Sequence, residues 1–140
     1  MLNKFYSFTE AIAEKVHNLG SDTLKVMLTN TAPVATNTVF ANLTEITAGN
    51  GYTATGNAAS FTSGAQTSGT FKLVLADPAT WTASGGSIGP FRYAVLYNDT
   101  PTSPADPLIG WWDYGSAVTL AVGETFTVDL DQTNGVLTII

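Results

Sequence analysis

Thr23-Leu-Lys-Val-Met-Leu-Thr29, TLKVMLT, is the stretch that decides the fold. Leu24, Val26 and Leu28 alternate with Lys25, Met27 and Thr29, and a period of two sends alternate side chains to opposite faces of an extended chain. The stretch predicts a half-buried β-strand. The residues before it keep another period, because Phe8, Ile12, Val16 and Leu19 recur at helical spacing. Ser7 and Glu10 have the spacing of a capping box, Lys15 and His17 fall where a last turn favours cations, and Gly20 suits a left-handed C′ position. Residues 1–20 are therefore expected to form one amphipathic helix or arm, and residues 21–140 a β domain.

Downstream, short apolar stretches alternate with turn residues. TFKLVLA (Thr70–Ala76) reads as a strand stopped by Asp77-Pro78, and RYAVLY (Arg92–Tyr97) as a central strand. LIGWWDYG (Leu108–Gly115), TFTVDL (Thr125–Leu130) and VLTII (Val136–Ile140) follow, with DQTNG expected to close a last hairpin. ATWTA around Trp81 adds a short strand. GNGY (Gly49–Tyr52) is a turn, and GGSIG (Gly85–Gly89) is expected to be a hairpin loop. VFANLTEI is open between a short helix and an extended stretch. Thr53–Gly69, polar and small, is either a pair of weak strands or a long surface hairpin. NDTPTSPADP (Asn98–Pro107) has three prolines within ten residues and must be an exposed loop. No βαβ alternation and no repeat appears. The expectation is a single domain, mainly β: an antiparallel β-sandwich, jelly-roll or immunoglobulin-like, behind one N-terminal α-helix.

The 140 residues are 44% hydrophobic but only 11% charged, so Thr, Ser, Asn, Gly and Ala must cover much of the surface. A net charge of −6 with no cluster of Lys or Arg argues against nucleic acid and anionic membranes as partners. With no cysteine there is no disulfide and no thiolate chemistry. Glu10 and Glu14 occupy what would be the apolar centre of a signal peptide, so neither export signal nor membrane anchor is expected.

Chemistry-bearing residues are sparse. His17 is the only histidine, which removes most acid–base, triad and zinc arrangements, and it reads as a helix C-terminal charge. Asp99, Asp106, Asp113, Asp129 and Asp131 lie near turns without the alternating acids of a calcium loop. Asn42-Leu43-Thr44 and Asn98-Asp99-Thr100 match a glycosylation sequon by pattern only. Trp111 and Trp112 must point to opposite faces of a strand, so at most one lies in the core and the other is left for an edge, an interface or a ligand. No catalytic, cofactor-binding or metal-binding residue is assigned, and no enzyme activity, cofactor or small-molecule substrate is expected.

The ordered series TLKVMLTNTAP, LTEITAGNGYTATG, ADPATWTASGGSIGPFRYAVLYNDT and PLIGWWDYG, over about Thr23–Gly115, resembles a family of small virion proteins of tailed bacteriophages. The resemblance implies a capsid cement or decoration protein that binds the outside of the major capsid protein shell and associates with copies of itself as a dimer or trimer. Its place would be the capsid surface of a virion assembled in a bacterial cytoplasm. Tail, collar or fibre proteins share the same style, and a carbohydrate-binding module using one of the two tryptophans is a further alternative. The contact regions expected on this reading are Met1–Leu19, Asn30–Thr38 and Asn98–Pro107. The residues expected to touch partners are Phe5, Tyr6, Phe8, Ile12, Pro33, Pro101, Pro104, Trp111 and Trp112.

Overall fold

The computed structural model describes residues 2–140. In chain order the elements are β1 (Asn3–Lys4), α1 (Tyr6–Ala13), β2 (Leu24–Thr29), a 3-10 turn (Phe40–Asn42), β3 (Asn57–Ala58), β4 (Phe61–Thr67), β5 (Thr70–Leu75), β6 (Trp81–Thr82), β7 (Ile88–Asn98), β8 (Leu108–Leu120), β9 (Thr125–Phe126) and β10 (Leu137–Ile139). Every pairing is antiparallel. Three sheets result, with strand orders β1-β8-β7-β2-β3, β10-β5-β4 and β6-β9. The fold is mainly β with one helix near the N-terminus, a β-sandwich as the alternating stretches require.

The period-two stretch sits at the centre of the large sheet. Leu24, Val26 and Leu28 share a core with Ala94 and Leu96 of β7, Leu73 and Leu75 of β5, Leu137 of β10 and Trp81 of β6. Two apolar sheet faces thus bury each other across one layer. The other face of β2 departs from expectation. Met27 and Thr29 are both fully buried, so the strand is covered on two sides rather than one. Residues 30–46 return over that second face and form a smaller cluster in which Phe40 and Leu43 pack on Met27, Val95, Tyr97 and Phe5. Thr29 Oγ1 donates to Thr44 O at 2.5 Å, and Ile46 N donates to Leu28 O at 3.1 Å, which fastens this flap. Lys25 alone reaches the rim, 3.1 Å from Asp99.

The N-terminal helix is shorter than its periodicity predicts. It ends after Ala13, and Lys15 takes the left-handed conformation at φ +64°. Lys15 N donates to Ile12 O and Val16 N to Ala11 O, the paired bonds of a Schellman closure with lysine in place of the usual glycine. Gly20 is not the helix stop. Ser7 does not cap it either: Phe5 occupies the N-cap without a side-chain bond, and the first free amides go elsewhere, Phe5 N to Ile109 O and Tyr6 N to Ala35 O. Tertiary partners have replaced the capping box. Ending the helix early turns His17 and Leu19 inward, where both are buried.

Two other expectations fail for a shared reason, which is that pairing is set across the sandwich rather than along the chain. GGSIG is no hairpin loop, since it links β6 of one sheet to β7 of another and β7 already begins at Ile88. DQTNG closes no hairpin, because β9 pairs with β6 whereas β10 pairs with β5. Only Thr125–Phe126 of TFTVDL is strand. The β7–β8 pair is longer than RYAVLY and LIGWWDYG suggest, and it passes Gly89-Pro90 through a register shift between Ile88 and Phe91.

VFANLTEI holds the 3-10 turn, with Asn42 Oδ1 accepting from the amides of Thr38 and Val39. Thr53–Gly69 holds β3 and β4, and β4 folds back on β5 through Ser68 and Gly69, whose φ values of +50° and +85° match a type I′ turn. At GNGY the turn sets Tyr52 under β2, where its hydroxyl accepts from Leu28 N at 3.0 Å and donates to Glu45 Oε2 at 2.5 Å. Burial and the neighbouring Glu45 carboxylate push the phenol's pKa well above its ordinary value.

Candidate functional site

The three segments expected to contact partners lie side by side. Tyr6 N donates to Ala35 O at 2.9 Å, Leu108 N to Thr38 O at 3.0 Å and Phe40 N to Asp106 O at 2.9 Å, so helix start, flap and proline-rich loop share one side of the molecule. Individual residues divide differently. Tyr6 is 72% exposed, and Pro104 is also exposed. Pro101 and Ile12 are half-buried. Phe5 and Phe8 are 1% and 2% exposed and Pro33 is buried, so these three are corrected from contact residues to interior ones. The cause is burial within the fold: Phe5 packs beneath the second face of β2, Phe8 joins the main core, and Pro33 is buried in the flap between exposed Ala32 and Val34.

Trp111 and Trp112 do take opposite faces, paired with Val95 and Ala94 respectively. Neither is left over. The Trp111 ring lies 4.6 Å from that of Phe5, tilted by 45°, in the smaller cluster, and Trp112 packs on the main core. Both stay half-buried. The alternation rule was sound, but it does not foresee a sheet with two covered faces.

The turn carboxylates are engaged locally. Asp113 accepts from Arg92 at 2.8 Å and 3.0 Å, and that fork holds the carboxyl below its usual range. Asp131 accepts from the amides of Thr133 and Asn134, an Asx turn that also lowers its pKa. Asp106 is shifted upward instead, by burial and by nearby Asp99. Among the described residues no three His, Cys, Asp or Glu side chains converge as a metal site would need. Asn98 of the second sequon is fully buried, with its amide spent inside the protein.

His17 is not a helix-end charge. It is 5% exposed, and burial depresses its pKa against a smaller opposing pull from Asp22. Asn98 Nδ2 lies 3.1 Å from His17 Nδ1 and donates to Asp22 Oδ2 at 2.7 Å, while Asn98 Oδ1 accepts from Thr100 N at 3.1 Å. This fixes the amide's orientation, and with it the imidazole's tautomer. Nδ1 must accept, so the proton sits on Nε2, which has no partner among the described residues.

One surface was not singled out from the sequence. Strand β4 is exposed at all seven positions, on both faces, and it is the outer strand of its sheet. Between Glu45 and Lys72 the chain has no charged residue and no proline. Natural edge strands are commonly blunted by such residues or kept very short. Here only the register shift between Phe61 and Ser63 interrupts a long unpaired edge. Phe61, 45% exposed, and half-buried Phe71 converge over Gly64, where an added Cβ would meet both rings at 3.1 Å. The uncharged run was legible beforehand; that it forms an edge was not.

No protein-family model, no curated protein and no solved structure matches the chain.

Proposed function

We propose that this chain is a structural component that works through protein–protein contact, as a cement or decoration protein on the outside of a bacteriophage capsid. The observation that carries the reading is the β4 edge. A row of unpaired main-chain groups on an uncharged, Thr/Ser/Gly/Ala-rich strand is suited to receive a strand from a neighbour, with main-chain hydrogen bonds giving affinity. A charge-free edge also lets acidic chains approach without like charges meeting. The adjoining flap and loops, with Tyr6 and Val34 at 72% and 56% exposure, offer a second contact area. The resemblance of Thr23–Gly115 to phage virion proteins supplies the particle.

The carbohydrate alternative draws less support than protein contact, since both tryptophans are half-buried against the two cores. The reading as a shell protein is tested by quantifying the chain against the major capsid protein in purified particles of the phage that encodes it. Copies in proportion to the shell protein support it. A handful per particle would move the chain to the tail or collar, and absence would overturn a virion role.

A further inference from the structure

Of the open sheet edges among the described residues, β4 alone offers a neighbour an uncharged strand of useful length. β1, β3, β6 and β9 are two residues long and β10 is three. β8 beyond Trp112 carries Asp113 and is broken by Gly115 at φ +97° and by register shifts against β7. Within β4 the regular stretch is Ser63–Thr67, bounded by the register shift after Phe61 and by the turn at Ser68-Gly69.

The direction of the main chain along that stretch follows from β5. Val136 N donates to Leu73 O at 2.7 Å, so Leu73 turns its groups toward β10 and away from β4. Gly64, which faces Leu73, is then a non-hydrogen-bonded position whose N–H and C=O point outward, and Gln66, two residues on, points the same way. Ser63, Ala65 and Thr67 alternate with them and line one face beside Lys72.

A two-fold axis through Ala65 fits this arrangement to itself. Gly64 of each copy meets Gln66 of the other as a hydrogen-bonded pair, about four main-chain bonds in all. Ala65 meets Ala65 as a close pair that suits a small side chain, and Ser63 meets Thr67, whose hydroxyls can bond across strands. The same register brings each Ser68-Gly69 turn opposite Phe61 of the other copy, a ring 45% exposed in the single chain. Charge selects likewise, because a chain of net charge −6 meets its own copy with least repulsion where neither brings an acid, and nothing from Ile46 to Phe71 is charged. With both β4 edges consumed no comparable edge is left, so pairing closes at two copies instead of running into a fibre.

We propose that two copies of this chain join β4 to β4 in antiparallel register about Ala65, making one continuous sheet in the order β10-β5-β4-β4-β5-β10. The proposal rests on the reading of this edge as the interaction surface and names its occupant. A dimer engages a shell through two chains at once, so losing it weakens attachment.

The chain has no cysteine, so a single introduced one reports the register. Ala65→Cys, on the two-fold axis, is expected to give a disulfide-linked dimer under mild oxidation. Ser63→Cys is not, since it faces Thr67 and its own counterpart lies roughly 13 Å along the strand. Sedimentation of the full chain over a concentration series is expected to show a monomer–dimer equilibrium, and Ala65→Lys, which sets like charges face to face, to weaken it about tenfold. A monomer at millimolar chain, a dimer indifferent to Ala65→Lys, or Ser63→Cys linking as readily as Ala65→Cys would each overturn the proposal. The shell reading is decided separately, on particles: a monomeric chain present in proportion to the shell protein removes the dimer alone, and a dimer absent from particles removes the shell role alone.

Discussion

His17 Nδ1 and Asn98 Nδ2 lie 3.1 Å apart in the buried seam between the segment after α1 and the end of β7, and the contact tolerates only a neutral imidazole. Asn98 cannot flip to accommodate a second proton, because its oxygen holds Thr100 N and its nitrogen holds Asp22.

A pH dependence follows. Burial holds the folded pKa of His17 below its ordinary 6.5, so the unfolded chain takes up the proton first. The stabilisation from a neutral His17 is complete above about pH 6.5 and is lost as pH falls through 6.5 toward the folded value. Urea unfolding between pH 7.5 and 5.5 should show stability dropping on acidification, with a slope of at most about 1.4 kcal/mol per pH unit for one proton. His17→Gln should flatten that slope. A wild-type profile flat over this range would contradict the assignment.

Tyr52 serves β2 from below, through one hydroxyl that accepts from Leu28 N and donates to Glu45. Tyr52→Phe keeps the ring and strands the buried Leu28 amide. A loss of about 1–3 kcal/mol in chemical denaturation is expected.

Lys15→Gly should act in the opposite direction, raising stability by roughly 1 kcal/mol as the left-handed position loses its Cβ penalty. Thermal unfolding against wild type measures it. A lowered Tm would show that the lysine side chain contributes more to the fold than its backbone strain removes.

Gly56 has φ +80°, and a Cβ there would collide with the carbonyl oxygen of Val26. Gly56→Ala combines a disfavoured backbone with a clash against the central strand, so a loss larger than the about 1–2 kcal/mol of the backbone effect alone is expected in the same assay.

The strands whose partners face them across the sandwich were readable because burial imposes their pattern: TLKVMLT, TFKLVLA and RYAVLY each hold apolar residues that must meet an opposite sheet. What escaped reading depends on neighbours remote in sequence. Helix α1 ends after Ala13, closed by a left-handed Lys15 against local preference, and His17 and Leu19 turn into the interior. Met27 looks like a solvent-side residue until the flap from 30 to 46 covers it. Phe5 and Phe8 were readable as apolar residues that need a cover, but that does not say whether the cover is another chain or the protein's own core. For the candidate surface the limit was similar. The charge-free run from Ile46 to Phe71 was plain, whereas its placement at an open sheet edge follows from pairing between β4, β5 and β10.

The central claim is that the β4 edge is an interaction surface, and substitution of an outward residue there tests it with the fold intact. Ala65 is exposed, so Ala65→Lys should change stability by no more than about 0.5 kcal/mol while placing a gatekeeper charge on the edge. The deciding measurement is the copy number of wild-type and Ala65→Lys protein on purified particles, counted against the major capsid protein. Wild type in proportion to the shell protein, with the variant strongly depleted, is the predicted result; equal occupancy of the two, or absence of both, would contradict it.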